Sequence, residues 1–100
     1  MEPITEEVVD GHAEVRAVFK VRGGRVAGCM VTDGVVRRNS QVRVIRGGEV
    51  VRTARVSSLR RFAEDAREVQ AGVECGIGIE GFSDVQEGDV IEAFHTETRG

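Results

Sequence analysis

Ala13-Glu14-Val15-Arg16-Ala17-Val18-Phe19-Lys20 carries small or apolar residues at every second position, and Gly23-Gly24 follows shortly after. A period of two is the pattern of a half-buried β-strand, because successive side chains point to opposite faces of a sheet. It places Ala13, Val15, Ala17 and Phe19 on one face. The Gly-Gly pair supplies the positive φ of a tight hairpin. The chain is then expected to return in a second strand, Arg25 to Thr32, with Val26, Met30 and Val31 as apolar bulk. Gly28 inside that strand predicts a bulge or a close backbone approach. Asp33-Gly34 predicts another tight turn.

The same grammar continues downstream. Val35-Val36 leads through the polar stretch Arg38-Asn39-Ser40 into a third strand at Val42-Arg43-Val44-Ile45. Gly47-Gly48 marks a turn into a fourth, Glu49 to Leu59. Residues 60–71 read as a loop with room for one helical turn, through Phe62, Ala66 and Val69. Val73 to Glu80 alternates again, with Val73, Cys75, Ile77 and Ile79 on one face. Residues 84–89 form a polar turn whose carboxylates Asp84, Glu87 and Asp89 are expected in solvent, and Val90 to His95 is a last strand. Six strands at turn spacings of about ten residues, without a helix, describe an all-β fold, a small closed antiparallel barrel. Closure also removes the exposed edges of a lone open sheet. The barrel is expected over residues 11–95. The acidic, weakly patterned residues 1–10 read as a connector and residues 96–100 as a tail.

One hundred residues suffice for one domain with a modest core. Forty per cent apolar and 31% charged residues fit a globular chain, and the longest apolar run is too short to span a membrane. Two cysteines, Cys29 and Cys75, are too few for a disulfide scaffold, so reduced thiols and a cytoplasmic setting are expected. Tryptophan and tyrosine are absent and only four phenylalanines are present. That composition argues against a surface built to stack single-stranded bases.

The net charge of −3 hides an asymmetry. Residues 11–61 hold twelve basic side chains against Glu14, Asp33 and Glu49, a balance of +9; residues 62–100 stand at −8 and residues 1–10 at −4. Thirteen of the fourteen cations are arginine, which suits bidentate contact with phosphate or carboxylate. If the fold keeps the halves apart, a basic face and an acidic edge follow. The arginines read equally well as a solvated coat and as a nucleic-acid surface.

The glycine pairs lack the Gly-x-x-x-x-Gly-Lys-[Ser/Thr] string of a nucleotide loop. Cys29, Cys75, His12 and His95 are isolated in sequence, whereas structural zinc sites draw on close ligand pairs, so neither metal nor cofactor is expected. A Cys–His nucleophile would need an orienting third group that no spacing supplies. Cys75, on the apolar face of its strand, reads as a packed thiol. Nothing here calls for an enzyme.

Several strings, in order, resemble the C-terminal domain of bacterial-type translation initiation factor 2. They are Gly11-His12-Ala13-Glu14-Val15-Arg16-Ala17-Val18-Phe19-Lys20, Val26-Ala27-Gly28-Cys29-Met30-Val31 and Ser58-Leu59-Arg60-Arg61-Phe62. Glu68-Val69, Gly72-Val73-Glu74-Cys75-Gly76-Ile77 and Gly88-Asp89-Val90-Ile91-Glu92 follow. The resemblance implies a six-stranded barrel similar to the second domain of elongation factor Tu. It also implies non-catalytic recognition of the formylmethionyl-adenosine 3′ end of initiator tRNA, by a monomer that meets the ribosome through the full-length factor and no membrane. Carried over position by position, the implied site is Cys29; Arg60, Arg61 and Phe62; and Glu74, Cys75 and Gly76. The family commonly has a second lysine after the aromatic residue, where this chain has Ala63.

The residues give that function a physical route. Arg60 and Arg61 suit a phosphodiester, Phe62 an adenine or the methionyl chain, and Cys29 and Cys75 a soft slot for a thioether. Amides near Gly76 suit the formyl oxygen, and Glu74 the formamide N–H or a ribose. Formylation removes the ammonium charge, which an apolar pocket would otherwise have to desolvate. The competing reading is a docking barrel of a translation factor that contacts ribosome or RNA without regard to the formyl group.

Overall fold

A computed structural model describes residues 4–21, 24–61, 64–81 and 84–99. The alternating stretch lies within the longest strand, β1 (Ile4–Val21), followed by β2 (Gly24–Arg37), β3 (Gln41–Arg46) and β4 (Glu49–Arg61). Two short strands, β5 (Glu64–Asp65) and β6 (Glu68–Gln70), precede β7 (Glu74–Ile79) and β8 (Val90–Arg99). All pairings are antiparallel, and the order β1-β8-β3-β4-β7-β2 returns to β1 through the β1–β2 ladder. The result is the expected all-β ring of six strands. No helix occurs among the described residues. The inside is filled mainly by small and β-branched residues from alternate positions, such as Val15, Val31, Val42, Val44, Val56, Ile77 and Ile91.

Several local expectations change. Asp33-Gly34 is not a hairpin turn: β2 passes straight through it, and the reversal comes at Arg38-Asn39, where Asn39 takes φ 67°. The physical reason lies across the ladder. Gly34, at φ 63°, opposes Gly11, and a Cβ on Gly34 would collide with the carbonyl oxygen of Asp10. A Cβ on Gly11 would lie 2.5 Å from the backbone nitrogen of Val35. The two glycines let β1 and β2 touch where β2 leaves the ring to pair with β6. The first Gly-Gly signal cannot be followed, since Gly23 lies outside the described residues.

Strict alternation along β1 also fails. The ladder slips between Val15 and Ala17, leaving Arg16 as the extra residue of a bulge. Inward and outward exchange beyond it, so Val18 packs on the core while Phe19 is 57% exposed. Residues 64–70 form two short strands with no helical turn. The acidic residues 4–10 and the segment 94–99 pair with each other as the outer reach of β1 and β8.

Asp89, expected in solvent, is 2% exposed. Its carboxylate accepts from Arg46 Nε and Nη2, each at 2.9 Å, and from the Gln86 N–H at 2.9 Å. The guanidinium holds its pKa below the usual aspartate value, outweighing the burial. The same loop pins the bulged strand: Val15 N–H donates to Asp89 O at 2.8 Å and Gly88 N–H to Val15 O at 2.9 Å. Nor does the fold keep the charged halves apart. Arg43 meets Glu92 at 2.7 Å and also Glu7, and Arg46 meets Asp89, so basic β3 is neutralised by acidic neighbours.

Gly34→Ala should lower stability by about 2–3 kcal/mol, through left-handed strain and the backbone clash. Gly47→Ala, also at positive φ but with nothing within 4 Å, should cost about 1 kcal/mol. Denaturant unfolding compares the two directly, and equal losses would contradict the contact assigned to Gly34.

Candidate functional site

Along one side of the ring, β1, β2, β7 and β4 lie side by side, and their registers set rows across the outer face. The central row is Ala17–Gly28–Gly76–Arg60. Met30 and Glu74 oppose each other on one side of it; Phe19–Val26–Gly78–Ser58 runs on the other. With glycine at two adjacent central positions, that row contributes no side chain of its own there, and the neighbouring Phe19 and Val26 lean over it. A groove of about 770 Å³ opens over it, bordered by Arg16, Phe19, Val26, Ser58, Arg60 and Glu74. The bulge expected at Gly28 falls on the partner strand, at Arg16, and the close neighbour of Gly28 is an aromatic edge and not backbone: a Cβ there would lie 2.7 Å from Phe19 Cε2. One on Gly76 would lie 3.0 Å from Val26 Cγ1.

Five of the seven residues that the sequence nominates converge on this groove: Cys29, Arg60, Glu74, Cys75 and Gly76. They come from three strands that are far apart in the chain, and the register alone unites them. Arg61 opposes Glu64 in β5 and does not border the groove. Phe62, with Ala63, lies outside the described residues.

Cys29 and Cys75 are direct cross-strand partners whose residues are nearly fully buried and join the core. They back the groove floor, and Cys29 Sγ lies 3.4 Å from the Ala27 carbonyl oxygen, donating to it. Burial raises both thiols, Cys75 to about 11 and Cys29 further, with Cys75 adding to the second shift. Both stay protonated at neutral pH, so neither has the thiolate of a nucleophile. Of the amides near Gly76 that the sequence offers to the formyl oxygen, that of Gly76 itself lies between two paired strands. β7 is paired on both edges at this residue, to Gly28 and to Arg60, which keeps its backbone within the ladders.

Donors facing the groove therefore come from side chains. Arg60 holds Asp65 at 3.3 Å, but both side chains are about two-thirds exposed, so the pair is weak and a phosphate can replace the carboxylate. Arg16 reaches the groove because it is the bulged residue, and Ser58 because a second bulge follows Val56. Neither is legible in the sequence, since a single chain does not mark where a ladder slips. Among the described residues no group of three or more His, Cys, Asp or Glu side chains is placed to hold a metal. His12 sits between Asp33, at 2.8 Å, and Glu92, at 3.1 Å.

Both thiols should react with iodoacetamide at pH 8 roughly a hundredfold more slowly than an unhindered cysteine. Unfolding in denaturant should restore the normal rate. Fast labelling of the folded chain would show that the sulfurs face the groove after all.

Comparison with known proteins agrees with the fold. The family model of elongation factor Tu domain 2 matches residues 24–92. Translation initiation factor IF-2 of Thermus thermophilus is 58% identical over 94 residues, which are 93% of this chain and 16% of that protein. IF-2 of Caldanaerobacter subterraneus subsp. tengcongensis is 55% identical over 98 residues, 97% of this chain and 14% of that protein. The chain thus spans less than a fifth of these relatives' length. Among solved structures, GDP-bound aIF5B from Aeropyrum pernix superposes with a TM-score of 0.70 at 24% identity, covering 83% of this chain and 16% of that one. With a matching strand ring and a family model that covers most of its length, the chain belongs to the elongation factor Tu domain 2 family.

Proposed function

We propose that the chain binds the formylmethionyl-adenosine 3′ end of initiator tRNA, without catalysis, in the groove over Gly28 and Gly76. The resemblance to the C-terminal domain of initiation factor 2 nominates seven residues from the sequence alone. The observation that carries the reading is that five of them, drawn from β2, β4 and β7, border one groove.

Each part of the ligand finds a matching surface. The Phe19 ring edge and Val26 lie against the two glycines and form the apolar surface on which a flat base or an extended side chain packs. Arg60 takes a phosphate by exchanging Asp65, and Arg61 and Phe62 continue the same basic-aromatic string. Ser58 and Arg16 are the donors for the formyl oxygen. Glu74 accepts from the formamide N–H or a ribose hydroxyl. Discrimination against the unformylated ester comes from the cost of bringing an ammonium group onto an apolar floor. In this reading the chain acts as a monomer in the cytoplasm and meets the ribosome only through a longer factor of which it is one part.

Binding at the ester should protect it from mild alkaline hydrolysis. Formylmethionyl-tRNA should be protected by the chain and unformylated methionyl-tRNA should not. Arg60→Glu should weaken protection about tenfold, the loss of one charge-assisted contact, with thermal unfolding nearly unchanged. Equal protection of both esters would replace this reading with an RNA-docking barrel, and protection of neither would remove it.

A further inference from the structure

We propose that the outer face of β4 carries a phosphate track that leaves the groove past Arg60 and runs over Arg67 and Arg38 to Arg55. Its occupant is the sugar-phosphate backbone of the RNA whose 3′ end lies in the groove, so its direction rests on that reading.

The positions follow from register and hydrogen bonds. Arg55 lies between Ala54, which packs on the core, and buried Val56, and so faces outward as Arg60 does. Where β3 ends, Ser40 continues along the same edge of β4, accepting from Val56 N–H at 2.9 Å. Ala66 then takes over that edge, donating to Leu59 O at 2.9 Å, and exposed Arg67 follows it. Arg38 N–H donates to Arg67 O at 2.8 Å, which brings the turn and the later segment together. From Arg60 to Arg55 the strand covers roughly 15 Å, the reach of a few nucleotides.

Ion pairing divides the arginines of the described residues into two sets. Arg37, Arg43, Arg46 and Arg60 each hold a carboxylate. Arg38, Arg55 and Arg67 are exposed and, like Arg16, Arg25 and Arg52, have no ion pair among the described residues; what sets the three apart is that they follow one edge of β4 beyond Arg60. The neighbouring carboxylates Asp65 and Glu68 are taken by Arg60 and Arg37. Glu80 lies beside Arg55, its N–H donating to Arg55 O at 2.8 Å, without pairing its side chain to the guanidinium. Three guanidinium groups on adjoining segments along one edge, without counter-charge, form a surface that a polyanion relieves. Their planar forks match phosphate oxygens without reading sequence. A continuous strand of phosphates fits several such groups along one strand better than a single anion does.

The test uses the hundred-residue chain and two ligands: formylmethionyl-adenosine, which has no upstream phosphates, and an acceptor-stem minihelix carrying the same formylmethionyl end. The native chain should bind the minihelix more tightly, with a salt dependence set by the phosphates it neutralises. Arg55→Glu/Arg67→Glu should weaken the minihelix about tenfold near 0.1 M salt and flatten the salt slope by about two. Its affinity for formylmethionyl-adenosine should stay unchanged, which also reports an intact fold. An unchanged minihelix affinity and slope in the double variant overturns the track, as does minihelix binding by the native chain that is insensitive to salt. Failure of formylmethionyl-adenosine alone to bind, with the arginine-dependent minihelix binding retained, counts against the groove reading and leaves the track standing.

Discussion

The contact between Gly11 and Gly34 is the constraint on which the rest of the structure depends. β1 is the strand that closes the ring, because it pairs with β8 on one edge and β2 on the other. β2 must also leave the ring to receive β6, and it does so at the point where the two glycine backbones meet. A side chain on either residue would push the strands apart there. Closure in turn fixes the registers of β1, β2, β7 and β4, and those registers align Gly28 with Gly76 under a single groove. The groove is therefore a consequence of how the ring closes, more than of any flexible loop.

Closure also decides the electrostatics. Strands far apart in sequence become neighbours, so the basic middle of the chain is laid against its acidic ends. Asp33, His12, Glu92 and Arg43 form a row across four strands, and the Arg43 guanidinium lies 3.9 Å from the centroid of the Phe94 ring. Burial opposes charge on His12, but Asp33 and Glu92 outweigh it and raise its pKa. Asp89 works the other way: with its pKa lowered, its stabilising pair with Arg46 is complete above the ordinary aspartate range and is lost as pH falls through the lowered value. Among the described residues, Arg38, Arg52, Arg55 and Arg67, on β4 and the segments beside it, hold no ion pair, and neither do Arg16 on β1 and Arg25 on β2.

The architecture is readable in the sequence because a period of two and glycine-marked turns are local signals. The alternation of Val73, Cys75, Ile77 and Ile79 and the pair at Gly47-Gly48 depend on nothing distant. Bulges are not readable: Arg16 and Ser57 slip their ladders in response to partners across the sheet, and that slip turns Phe19 outward and delivers Arg16 to the groove. Asp33-Gly34 misleads for a related reason, since the same dipeptide that makes a hairpin also makes a close crossing. Asp89 reads as solvated because its partner, Arg46, lies 43 residues away. For the site, the resemblance nominates residues whose convergence only the register could supply. It carries no information on which way the cysteine side chains turn.

The proposed recognition takes place at a groove over Gly28 and Gly76 on the outer face of the ring. Amide chemical shifts followed while formylmethionyl-adenosine is titrated into the ¹⁵N-labelled chain test this most directly. The largest shifts are expected at Gly28, Gly76 and Ser58, with the row at His12, Arg43 and Glu92 unmoved. Shifts confined to the His12 row, or none at saturating ligand, would contradict the proposal.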